Sequence, residues 1–131
     1  MSSITRIESG KRMSQAVAAN GFVFLAGQVA NHTACSVEEQ TRQVLDEIDR
    51  LLKAAGSSKD KILSATIYLA DMADFAAMNS VWDVWVHSEA KPARATVEAR
   101  LAAPEYKVEI QIVASARGGE LMQQSSRSAL E

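Results

Sequence analysis

A chain of 131 residues suits one domain, and its 47% hydrophobic and 23% charged residues are those of a globular protein rather than a disordered one. Fourteen basic against sixteen acidic residues leave a net charge of −2 with no Lys/Arg-rich run, which argues against nucleic acid or an anionic membrane as the main partner. Cys35 is the single cysteine, so no intrachain disulfide can form; with no apolar h-region at the N-terminus and no apolar run near the roughly 18 residues of a membrane span, the expectation is a soluble cytosolic domain.

Residues 4–29 carry short strand patterns broken at Ala19-Asn20-Gly21. Asn20-Gly21 is a strong turn signal because both residues tolerate positive φ, so it should join a strand near Ser14–Ala18 to one over Phe22–Val29. The first helix follows. Ser36 and Glu39 have the spacing of a capping box. Val44, Leu45, Ile48, Leu51, Leu52 and Ala55 then recur as one apolar stripe, and Gly56 is the expected terminator.

Ile62–Ala70 reads as a strand with Leu63, Ala65, Ile67 and Leu69 on one face. A second helix is expected from Asp71 or Asp74, with Phe75, Met78, Trp82 and Trp85 at i, i+3, i+7 and i+10 and Pro92 beyond its end. Two alternating strands close the pattern. In the first, Ala95, Val97, Ala99 and Leu101 share one face and Arg94, Thr96, Glu98 and Arg100 the other. In the second, Val108, Ile110 and Ile112 alternate with Glu109 and Gln111. A short hairpin followed by strand, helix, strand, helix, strand, strand is economically folded as one sheet with two helices on one face. The opposite face, expected to carry Thr66, Tyr68, Arg94, Thr96, Glu98, Glu109 and Gln111, would then meet either water or another subunit. Residues 118–131 are polar, start on glycine and lack a period, so a loose tail is expected after a single domain over 1–117.

The segments "PARATVEARL" and "VEI", with "FLAGQV" and "DFAAMNSVWDVW" in the same order, resemble the Rid (YjgF-type) family of small enamine/imine deaminases over residues 5–116. "RMSQ", "ATIYLADMADFAAMN" and "APEYKVEI" resemble a divergent branch of it. The resemblance implies an α+β subunit like that of the trimeric Bacillus-type chorismate mutase. Its bare sheet face would line a three-subunit barrel, with ligand clefts between neighbouring subunits. It also implies that the last strand sits centrally rather than pairing with the strand of Arg94 as a hairpin, so that Arg94 and Glu109 can face a shared cleft.

Carried over residue by residue, the family arginine is Arg94, whose planar fork suits bidentate binding of a carboxylate. Its structural alternative is an interfacial Arg–Glu salt bridge. The family glutamate is Glu109, 15 residues on, holding the water that attacks an imine carbon; the alternative is an ion pair with Arg100 or Lys107. Gly27 matches a glycine whose backbone approaches the ligand, and Asn79 an asparagine facing the site from the second helix. Two positions depart from better-known members. Met13 stands where they have a tyrosine, and Thr96 where they have a cysteine, which bears on substrate choice and rate more than on fold.

The remaining candidates are blander. His32, His87 and Cys35 lack metal-ligand spacing, so no metal is expected. His87 is expected at a helix C-terminus, Cys35 as an ordinary thiol before a helix cap, and the Trp82/Trp85 pair as core packing. No phosphate loop or serine-nucleophile motif is present. The expected protein is a homotrimeric hydrolase of the 2-iminobutanoate/2-iminopropanoate deaminase kind, working without a cofactor. The alternative is a trimeric binder or sensor of small carboxylates such as 2-oxo acids.

Overall fold

The computed structural model describes residues 3–116, so the tail expected over 118–131 lies outside the described residues. Six strands form one sheet: β1 (Thr5–Ser9), β2 (Ser14–Ala19), β3 (Phe22–Leu25), β4 (Ile62–Leu69), β5 (Ala93–Glu98) and β6 (Val108–Ser115). Two helices, α1 (Val37–Ala54) and α2 (Phe75–Trp85), pack on one face of it. The spatial order is β1-β2-β3-β6-β4-β5. β6 therefore lies between β3 and β4, antiparallel to both, while β5 runs parallel to β4 at the edge.

Local chemistry sets the joints. Asn20 and Gly21 take φ of 53° and 81°, the left-handed pair a tight hairpin requires, and Ala19 pairs with Phe22 across it. Ser36 Oγ accepts from the Glu39 amide at 3.2 Å, but Glu39 does not complete the box; its carboxylate pairs with Arg42 instead. At the other end of α1, Gly56 turns at φ 80° and the Ser57 amide reaches back to the Leu52 carbonyl. Asp71 caps a short 3₁₀ turn ahead of α2 by accepting from the Ala73 amide. Ser36→Ala should cost about 1 kcal/mol of stability, read by denaturant unfolding with an unchanged slope.

The core joins the α1 stripe (Val44, Leu45, Ile48, Leu51, Leu52) to Ala65, Ile67 and Leu69 of β4 and to Val108, Ile110 and Ile112 of β6. β6 alternates strictly between buried and open residues, as its sequence does. β4 departs from expectation at its start. A register shift between Ile62 and Ser64 turns Ile62 into the core and leaves Leu63 46% exposed.

The larger correction concerns β5. Arg94 pairs with Ala65 and Thr96 with Ile67, which places both on the helix-covered face; Glu98 follows them and accepts from the Met72 amide at 2.8 Å. Ala95 and Val97 look out from the open face, Val97 being 42% exposed. The polar residues face inward here because the cover over this edge is the flank of α2, which offers aromatic rings to a cation rather than a closed apolar core. The open face is consequently more apolar than expected. Phe22, Phe24 and Val97 are exposed on it, and Val17 and Val113 half-buried, around Thr66, Tyr68, Glu109 and Gln111.

Candidate functional site

Arg94 is half-buried, with its guanidinium carbon 5.2 Å from the Trp82 ring centre and 6.0 Å from that of Phe75. Attraction to aromatic faces holds a guanidinium in place without consuming its N–H donors. Among the described residues Arg94 makes no hydrogen bond or ion pair, so its fork is available to a ligand. Trp82 thus has a role beyond the core packing its spacing suggests. Asn79 lies between Phe75 and Trp82 on the same side of α2, and Thr96 follows Arg94 by two residues on the same side of β5. The Asn79 Oδ1 and Thr96 Oγ1 atoms are buried and have no hydrogen-bond partner.

A second group forms around Gly27. A Cβ at this position would overlap Glu109 Oε2 and lie 2.9 Å from its Cδ, so the missing side chain is what gives the carboxylate its place. Gln28 holds this arrangement. Its backbone exchanges two hydrogen bonds with Ile110, beside Glu109, at 2.9 and 3.1 Å. Its buried side chain donates to Gln15 Oε1 and the Ala26 carbonyl. Met13, 50% exposed, shares with Gly27, Gln28, Asn31, His32 and Arg50 a cleft of about 690 Å³. Glu109 is half-buried and, among the described residues, pairs with neither Arg100 nor Lys107.

These two groups do not meet within one chain. Glu109 pairs with Tyr68 on the open face, whereas Arg94 sits on the helix face. β4 lies between their strands, which separates them by about 10 Å across the sheet, and they are offset by roughly 10 Å along it. The shared cleft expected for Arg94 and Glu109 is therefore absent from the single subunit, and so is an Arg94–Glu109 salt bridge. Two separate groups result: Gly27, which lies against Glu109 on one side and borders the Met13 cleft, and Arg94 with Asn79 and Thr96.

Two residues that hold these groups in shape went unnoticed in the sequence. Gln28 is one. Gln40 is the other: fully buried on α1, it donates to the Thr33 and Glu105 carbonyls and accepts from the Lys107 amide, which fixes the approach to β6. The only signal for Gln28 was an amide inside an otherwise apolar run, and Gln40, among charged and polar neighbours, had none. On the rim of the Met13 cleft Arg50 bridges Glu8 and Glu47, and its hydrogen bonds hold the Glu8 carboxyl below the usual carboxylate range. His87 lies just past the end of α2, where its Nδ1 accepts from the Glu89 amide. Cys35 donates to the His32 carbonyl. Among the described residues no group of three metal-ligating side chains occurs, and no helix is long and apolar enough to cross a membrane.

One six-stranded sheet in this order with two helices on one face is the subunit fold of YjgF-type proteins, and comparison with known proteins gives the same class. The family model described as Endoribonuclease L-PSP matches residues 3–116, and the chain belongs to this family, also called YjgF/RutC or Rid. A RutC family protein of Haemophilus ducreyi is 47% identical over 112 residues, covering 86% of this chain and 96% of that one. The crystal structure of a YjgF family member from Neisseria meningitidis superposes with a TM-score of 0.86 at 50% identity, covering 88% of this chain and 96% of the other. Yeast Mmf1 superposes at 0.82 with 28% identity, covering 88% and 100%.

Proposed function

We propose that this protein hydrolyses reactive 2-imino acids and their 2-enamino tautomers, of the 2-aminoacrylate type, to 2-oxo acids and ammonia. The observation that carries the reading is the division of six site residues into two groups that cannot meet within one chain. Among the described residues, one holds a guanidinium fork without an ion pair and the other a carboxylate without one. A symmetric trimer built on the apolar open face would bring the Arg94 group of one copy against the Glu109 group of the next.

In that cleft Arg94 takes the substrate carboxylate, the one permanent charge a 2-imino acid carries. Glu109 holds a water against the imine carbon and takes its proton as the C–O bond forms. That proton passes to nitrogen to give a carbinolamine; Glu109 then takes the proton of the new hydroxyl and returns it to nitrogen as the C–N bond breaks, so that ammonia leaves and the carbon keeps the oxygen as the carbonyl of a 2-oxo acid. The residues present suffice for these steps, since imines already hydrolyse in water and need only positioning and proton transfer. A binder of small carboxylates is the second reading. Met13 favours it, because it leaves that wall of the cleft without a hydroxyl to contact water or substrate.

Two measurements test the proposal. Light scattering at micromolar concentration should give three times the subunit mass of 14.2 kDa. Ammonia release from freshly generated 2-iminopropanoate should exceed the buffer rate by at least about 10²-fold. A stable monomer would remove the intersubunit cleft. A trimer that binds 2-oxo acids but releases ammonia only at the buffer rate would be the binder.

A further inference from the structure

We infer that the Asn79–Thr96 pair reads a hydrogen-bond donor on the carbon next to the ligand's carboxylate, so that the site prefers a C=N–H or C–NH₂ ligand to the corresponding 2-oxo acid. This rests on the carboxylate-binding role of Arg94 proposed above.

The starting observation is the pair of buried oxygens without partners, Asn79 Oδ1 and Thr96 Oγ1. Both flank Arg94. At about 100° per residue, Phe75, Asn79 and Trp82 fall within roughly 60° of one another on α2, and Phe75 and Trp82 are the two rings against the guanidinium. Thr96 sits on the same face of β5 as Arg94. Buried polar atoms are normally satisfied, and among the described residues these two, left open beside the Arg94 guanidinium, mark a place completed by something that binds there.

The chemistry of the two atoms differs and decides the ligand. An amide oxygen can only accept, so Asn79, whose Oδ1 is the buried end of its amide here, calls for a donor from its guest. The Thr96 hydroxyl both donates and accepts, so it can serve the carboxylate or the same donor. A 2-imino acid offers an N–H beside its carboxylate, and its enamine tautomer offers two. A 2-oxo acid offers an acceptor and leaves Asn79 Oδ1 unpaired. The site therefore grips the nitrogen-bearing compound more tightly than its own product, which favours release once ammonia has gone. Thr96, where better-known relatives carry a cysteine, is then a gain of a hydrogen-bonding group rather than a neutral change.

Imines do not persist in water, so the probe pair is 2-hydroxybutanoate and 2-oxobutanoate. They share a carboxylate and a carbon skeleton and differ in whether C2 carries a donor. Calorimetric titration of the assembled protein should show the hydroxy acid binding at least about fivefold tighter. Asn79→Leu should bring the ratio to about one with binding of the oxo acid retained. Thr96→Val, which keeps the shape, should narrow the ratio, and it carries the test if Asn79→Leu fails to assemble. Equal or tighter binding of the oxo acid by the unaltered protein overturns the inference. So does an unchanged ratio in both variants with weakened assembly, which would mean that a neighbouring copy fills the two atoms. If neither acid binds and Arg94→Lys alters nothing, the carboxylate site itself is wrong and the inference falls with it.

Discussion

Glu109→Gln should lower imine hydrolysis by about 10²–10⁴-fold while leaving 2-oxo acid binding nearly unchanged. The amide keeps the length and planarity of the side chain, so it still fits the space above Gly27. It loses the negative charge and the basicity that take a proton from water. With no cation within ion-pair distance among the described residues, that charge does not support the fold, and the variant should assemble normally. Ammonia release and 2-oxo acid binding should be measured on the same preparation. Equal hydrolysis by both proteins, each near the buffer rate, would make the cleft a binding site and end the deaminase reading.

Much of the fold was legible because its signals are local. Asn20-Gly21 could be read as a hairpin since few dipeptides accept two left-handed residues, and Ser36 could be read as a cap from its spacing to Glu39. The alternation of β6 translated directly into burial. What local pattern could not supply was partnership. β5 and β6 follow one another in sequence and look like a hairpin, yet β6 inserts between β3 and β4; only the likeness to a known family pointed there. The face of β5 failed for a related reason. Alternation separates two faces but does not say which is covered, and apolar Val97 was assigned to the core on polarity alone, whereas it is exposed.

The candidate site was legible as a set of residues and not as a geometry. Arg94 and Glu109 stand out by charge on alternating strands, and Gly27 by its place in "AGQ". Their opposite faces follow from register: Tyr68 pairs with Glu109 on one side and with Val97 on the other, which sends Arg94 to the far face. The aromatic seat of Arg94 was hidden because Phe75 and Trp82 also fit the stripe of an ordinary core helix. Gln28 and Gln40 were hidden because buried amides carry no periodic signature; only their partners explain them.

That geometry leads to a prediction about mixtures. Arg94→Lys alone should nearly abolish hydrolysis, since an ammonium replaces the bidentate fork seated over Trp82 with a point charge. Glu109→Gln alone should do the same. If each cleft takes its arginine from one copy and its glutamate from the next, coexpressing the two variants should restore activity. In a randomly mixed trimer with equal amounts of each, half of the arginine donors and half of the glutamate donors are intact at any cleft, so roughly a quarter of clefts are whole. Hydrolysis per subunit should return to about a quarter of the unaltered rate, well above either variant alone. Mixing the separately assembled trimers without exchange should restore nothing, which controls for contamination. A coexpressed mixture no better than its parents, with mixed assembly verified by differential tags, would mean that Arg94 and Glu109 do not complete one another's sites. The half-sites would then have to be assigned separate roles.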